Sequence, residues 1–138
     1  MRVALLSFNA QAGDAIGNLV AEKLAFFLDR AVDVRLFVQS DRRLHPAVRP
    51  HCHMLGVKET RGENWRFLSS ADLVVVEYGQ YYELLELLPL LTSGRGRVLF
   101  DYHGVTPPEL WSMHNREAIE AGVRKRGLVW VADQAVAH

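Results

Sequence analysis

The sequence predicts an α/β fold: a Rossmann-like doubly wound parallel sheet in a single domain. Short apolar runs recur at residues 3–8, 34–38 and 72–77 without strict alternation, the pattern of strands covered on both faces. Segments with helical spacing stand between the runs, and strands alternating with helices assemble as parallel βαβ units. A length of 138 residues suits one domain with its own core.

The elements follow in order. A strand at residues 3–8 leads through a polar turn, 9–13, to Asp14, which stands where a helix N-cap belongs. Behind it Ile16, Leu19, Val20, Leu24, Phe27 and Leu28 fall on one helical face, and a second strand follows at 34–38. Such a unit implies a parallel pair joined by a right-handed crossover. Beyond Pro46 and Pro50 come a short strand at 51–55, a helix around 65–68 and a central strand at 72–77. A leucine-rich helix over 81–91 is apolar nearly all round, which predicts burial. A strand at 97–101, a helix over 115–125 and a strand at 128–132 complete the alternation. Residues 133–138 read as the first turns of a further helix. The chain is therefore expected to be one domain, 1–138, cut from a longer protein.

Composition narrows the function classes. Sixteen Lys and Arg balance sixteen Asp and Glu, whereas a dedicated nucleic-acid binder carries a basic face. The single Cys52 allows no internal disulfide and fits a reducing compartment. The first apolar run is too short for a signal peptide, and no stretch approaches the length of a membrane span. A cytoplasmic location is the expectation. His45, His51, Cys52 and His53 invite a metal reading, but three or four convergent ligands are not evident in their spacing, so no metal is expected.

In an open α/β sheet ligands bind beyond the carboxyl ends of the strands. The turn carrying Gly13, Asp14 and Ala15 would bring a helix N-terminus to that edge, a setting for a phosphate. It is neither a G-x-G-x-x-G fingerprint nor a P-loop, and Asp14 as a cap with Gly17 for close packing is the structural alternative. His103 follows a strand directly, Gly104 leaves the backbone room to turn, and the Pro107–Pro108 pair stiffens what comes next. A histidine there can donate to a sugar hydroxyl or a phosphate oxygen, or be bonded within its own loop. Glu77, Tyr78 and Gln80 offer a carboxylate, a phenol and an amide at another strand end, and Trp111 offers a ring face. Thr106, Pro107 and Glu109 read as a helix start with a capping box.

Several of these stretches together resemble the N-terminal half of retaining glycosyltransferases of the GT-B type, family four. They are G-D-A-I-G-N at residues 13–18, D-L-V-V-V-E-Y at 72–78, D-Y-H-G-V-T-P-P-E-L-W at 101–111 and V-A-D-Q-A-V-A-H at 131–138. The resemblance implies two Rossmann-like domains facing a cleft, of which this chain supplies the acceptor side. The missing C-terminal domain would grip most of a nucleotide-sugar donor. His103 would contact the donor sugar or phosphate. Gly13, Asp14 and Ala15 would approach the donor phosphate, although the turn lacks the double glycine many members show. Glu77, Tyr78, Gln80 and Trp111 would bind the acceptor. The resemblance implies no cofactor and no metal, with the nucleotide sugar as substrate. Acceptors in the family include lipids, so a peripheral membrane contact of the parent protein belongs to the same expectation. The chain alone would be inactive.

The sequence leaves two other readings open. A dinucleotide-binding domain could use the same strand-turn-helix, with Asp41 on the ribose. A binding subunit could instead stand alone and need a separate catalytic partner.

Overall fold

The computed structural model of the chain describes residues 1–92 and 96–103. The helix expected over 115–125, the strand expected at 128–132 and Trp111 lie outside the described residues. The described elements are β1 (Arg2–Ser7), α1 (Ala15–Asp29), β2 (Asp33–Val38), β3 (Cys52–Met54), α2 (Glu63–Ser70), β4 (Leu73–Tyr78), α3 (Leu88–Thr92) and β5 (Arg97–Tyr102), with 3-10 turns at Arg49–His51 and Glu83–Leu87. The strands form one all-parallel sheet in the order β3-β2-β1-β4-β5. The architecture is the α/β, Rossmann-like one the alternation predicted.

Right-handed crossovers decide which face each helix covers. The chain moves from β1 outward to β2 through α1, then returns past β1 to β4 and β5 through α2 and α3. The reversal of direction puts α1 on one face and α2 with α3 on the other. The core accordingly falls into two clusters. Val3, Leu5, Leu36, Val38 and Val75 meet Val20, Ala21 and Leu24 of α1. Ala4, Leu6, Phe37, Val74, Val76 and Tyr78 meet Phe67, Leu68, Leu84, Leu85, Leu87, Leu88 and Leu91. Alternate residues of one strand supply both clusters, as a period of two requires. Full burial of each such aliphatic side chain contributes roughly 1.5–3 kcal/mol.

Local chemistry sets the ends of the elements. The Asp14 carboxylate accepts the Gly17 N–H at 3.2 Å and starts α1, as the sequence predicts. Gly13 takes φ +80, a conformation that costs a residue with a side chain. Gly17 is required for space, since a Cβ there would lie 2.0 Å from the carbonyl oxygen of Gln11.

The single helix expected over 81–91 is instead a 3-10 turn followed by the short α3. Pro89 is the physical reason. It has no N–H to give to a preceding turn, so an α-helix running through it would lose a bond and clash. Starting the helix at Leu88 puts the proline in its first turn, where no bond is lost. The burial expected of this segment is observed at Leu84, Leu85, Leu87, Leu88 and Leu91.

Candidate functional site

The reversal of strand order between β1 and β4 leaves a crevice at their carboxyl ends, the usual ligand position in this architecture. An open cavity of about 180 Å³ occupies it. Ser7, Phe8, Asn9 and Gln11 form one wall, Asp14 and Ile16 bring in the start of α1, and Glu77, Gly79, Gln80 and Tyr82 close the side of β4.

Both walls are tied down. The loop after β1 is bonded to the loop after β2 through Ala12 N–H to Arg43 O at 3.0 Å and His45 N–H to Ala10 O at 2.7 Å. The Tyr82 hydroxyl is buried, donates to Glu77 O at 2.7 Å and lies 3.2 Å from Leu6 O. Burial first, and then the charge of Glu77, push this phenol well above its ordinary pKa, so it stays neutral and keeps its donor.

Beside the cavity four ionisable groups converge from three elements. Glu77, the last residue but one of β4, lies opposite Asp101 of β5 in register, so both side chains leave the same face of the sheet, the one α1 covers. Lys23 of α1 reaches down between them. Its Nζ lies 2.5 Å from Glu77 Oε1 and also donates to Asp101 Oδ2. His103, just past β5, continues the strand ladder with its N–H on Tyr78 O at 2.8 Å. Its Nε2 lies 2.5 Å from Glu77 Oε2. A Cβ on Gly79, in the cavity wall, would come within 4.0 Å of the His103 Cβ, which places the histidine at the cavity's edge.

The Glu77 side chain is 1% exposed, and a carboxylate buried so completely needs compensation. Lys23 and His103 provide it. Burial acts to lower the Lys23 pKa, but hydrogen bonds and charges from Asp101 and Glu77 outweigh it and hold the ammonium above its ordinary value.

Glu77, Asp101 and His103 offer ligand atoms within 4.8 Å of one another, close enough to surround a metal ion. The Lys23 ammonium already bonds both carboxylates and supplies the positive charge that an ion would bring. The other histidine group does not gather: His45 Nδ1 accepts the Ala47 N–H, and the His53 ring packs on Phe37. Burial and the Asp41 charge raise the Cys52 thiol to about 11, which keeps it protonated.

Of the residues expected at the site from the sequence, Asp14, Glu77 and Gln80 line the cavity, and His103 stands at its edge. Gly13, in the turn, and Ala15, the first residue of α1, flank Asp14 and are exposed. At the N-terminus of α1, the expected setting for a phosphate, the Asp14 carboxylate takes the Gly17 N–H. Tyr78 is not brought to the cavity. It is one residue from Glu77 on a strand, so it points to the opposite face, where it packs buried against Phe100 and Tyr102. Lys23 and Asp101 were missed as site residues. The signal for Lys23 is a charged residue in line with Ile16, Leu19, Val20 and Phe27 on the apolar face of α1. The signal for a partner is Glu77 itself, which closes a run of buried valines.

No family model matches the chain, and no curated protein does either. Among solved structures it is similar to an α-glucosyltransferase in complex with UDP-glucose and DNA containing an abasic site, with a TM-score of 0.57 and 14% identity over 91% of this chain. A second structure, an α-glucosyltransferase in complex with UDP and a 13-mer DNA containing a HMU base, gives the same TM-score, identity and coverage of this chain. The chain spans about a third of the length of these two, 34% and 36%. A weaker likeness, TM-score 0.44 at 16% identity, relates 92% of the chain to 30% of S. aureus homoserine dehydrogenase. The chain thus shares its α/β, Rossmann-like fold with part of these two structures. Among the described residues, no helix is long and apolar enough to cross a membrane.

Proposed function

We propose that this chain is the N-terminal, acceptor-side domain of a retaining glycosyltransferase of GT-B type that takes its sugar from a nucleotide-sugar donor. The observation that carries the reading is the crevice between β1 and β4 with His103 held at its edge. Its support is threefold: the motif resemblance, the fold shared with part of the two α-glucosyltransferase structures and the ligand position this topology favours. The donor enters from a second domain facing the crevice. The Asn9–Asp14 turn lies toward its phosphates, and Gln80 with the rim of the cavity meets the acceptor. A net charge of zero speaks against a nucleic-acid acceptor.

Departure of the diphosphate builds charge on the leaving oxygens and oxocarbenium character on the sugar. A group fixed in place before the reaction lowers that barrier, because it need not reorganise as charge develops. In a retaining reaction the acceptor approaches the face the diphosphate leaves, so a phosphate oxygen can take the acceptor proton. Glu77 is already engaged by Lys23 and His103, which fits a mechanism in which no free carboxylate acts as base.

The test uses the product of the whole reading frame and a panel of nucleotide sugars, scored by nucleoside diphosphate release with and without acceptors. Turnover is expected with one of them, and His103→Ala should lower kcat by about a hundredfold or more, with an unchanged circular dichroism spectrum. Near-normal turnover in His103→Ala, or none with any nucleotide sugar, would overturn the reading.

A further inference from the structure

The Glu77 carboxylate is fully divided. Oε1 belongs to Lys23, which is itself braced on Asp101, and Oε2 belongs to Nε2 of His103. An ionised carboxylate only accepts, so the hydrogen in the second contact sits on Nε2. One ring nitrogen is thereby used inside the protein, and Nδ1, which has no hydrogen-bond partner among the described residues, is the one left for a ligand.

Resting on the glycosyltransferase reading, we propose that Glu77 is the positioning residue of this site. It holds Nε2–H of His103 inward, with Lys23 clamping the carboxylate from α1, so that the ring offers Nδ1 to a sugar hydroxyl.

Three features carry this. Glu77 is buried with both oxygens engaged, so it has no room to turn away. The His103 backbone is fixed to the neighbouring strand by its N–H on Tyr78 O, one residue from Glu77. Lys23 comes from a different element and ties the depth of the carboxylate to the position of α1. The chemical consequence concerns the ligand. A neutral imidazole with its hydrogen on Nε2 has a lone pair at Nδ1 and accepts a hydrogen bond. A hydroxyl supplies that hydrogen, whereas a phosphate oxygen would need a second proton on the ring. The ligand class for the neutral ring is therefore a sugar hydroxyl.

The positioning can be measured without turnover. In the 15N-labelled 138-residue chain, under mildly alkaline conditions, His103 is identified by comparison with His103→Gln. Its proton is expected on Nε2, with Nδ1 bare and Nε2–H exchanging slowly with water. Glu77→Gln should speed that exchange about tenfold or more, since a charge-assisted bond becomes a neutral one. Lys23→Gln should act in the same direction and serves if Glu77→Gln does not fold. A proton on Nδ1, or exchange unchanged in the variants, overturns the proposal. In the whole reading-frame enzyme, Glu77→Gln should lower kcat by about ten- to a hundredfold with KM for the donor within about twofold, the scale on which orienting partners act. Equal kcat would also overturn it. A slow Nε2–H that depends on Glu77, in a protein that turns over no nucleotide sugar, would sink the glycosyltransferase reading and leave the positioning intact.

Discussion

The two faces of β4 and β5 are built from alternate residues of the same strands, yet they are put to different uses. On the face of α2 and α3, Val74, Val76 and Tyr78 sit at 3% exposure or less in a continuous apolar cluster. On the face of α1, Val75 gives way to Glu77, and Leu99 to Asp101, so apolar packing passes into an ionic cluster toward the carboxyl end. The first face needs only shape and volume. The second needs charge balance, and every one of its groups depends on another. Stability should therefore be lost by different physics on the two sides.

The largest effect is expected on the apolar side. Leu68 of α2 is 1% exposed within its cluster, and Leu68→Ala removes transfer energy and leaves a cavity. The expected loss is about 3 kcal/mol, within the roughly 2–5 kcal/mol that such truncations cost. It should be read from urea unfolding and be nearly the same at any pH between about 6 and 10. A strong pH dependence of this difference would show that the two faces are not separable.

On the ionic side the expected loss is smaller and depends on pH. Lys23→Met leaves the buried Glu77 carboxylate with His103 alone, at a cost of about 2 kcal/mol near neutrality. Removing one partner of a fully buried pair costs roughly 3–5 kcal/mol, and the partial exposure of Lys23 reduces that. Because the folded-state pKa of Lys23 lies above its ordinary value of 10.5, the stability it contributes is complete below that value. It drains away as pH rises through the folded pKa. The gap between wild type and Lys23→Met should thus narrow above about pH 10.5. Tyr78 and Tyr82, also raised, weaken both proteins alike in that range and cancel in the difference. A gap that widens with alkali would contradict the assigned role of Lys23.

The same contrast separates what the sequence discloses from what it hides. The fold is legible because parallel strands covered on both faces leave uninterrupted apolar runs, such as residues 72–77, and because Asp14 marks the start of α1 by ordinary capping chemistry. Glu77 and His103 are each visible as residues at strand ends. Their contact is not, because it depends on β4 and β5 being neighbours in the register that sets Glu77 against Asp101. Lys23 is 54 residues from Glu77 in the chain, and no local pattern joins them. Tyr78 illustrates the opposite case: strand alternation alone assigns it to the face away from Glu77.

The smallest effect tests where the second face ends. Below the ionic cluster, Leu19, Phe26 and Phe27 of α1 and Leu73, Val75 and Leu99 border an apolar groove of about 340 Å³. Leu99 is 51% exposed there, although parallel sheets ordinarily have both faces covered. Left open, the groove makes Leu99→Ser a surface substitution worth about 0.5 kcal/mol or less. A loss well above 1 kcal/mol, closer to that of a buried leucine, would mean that further structure lies over β5 on the side of α1. If that loss also shrank on dilution, the cover would be a second copy of the chain; if it did not, the cover would belong to the same molecule. In either case the boundary between the two physics would move, with the ionic cluster becoming an island inside a core rather than the rim of one.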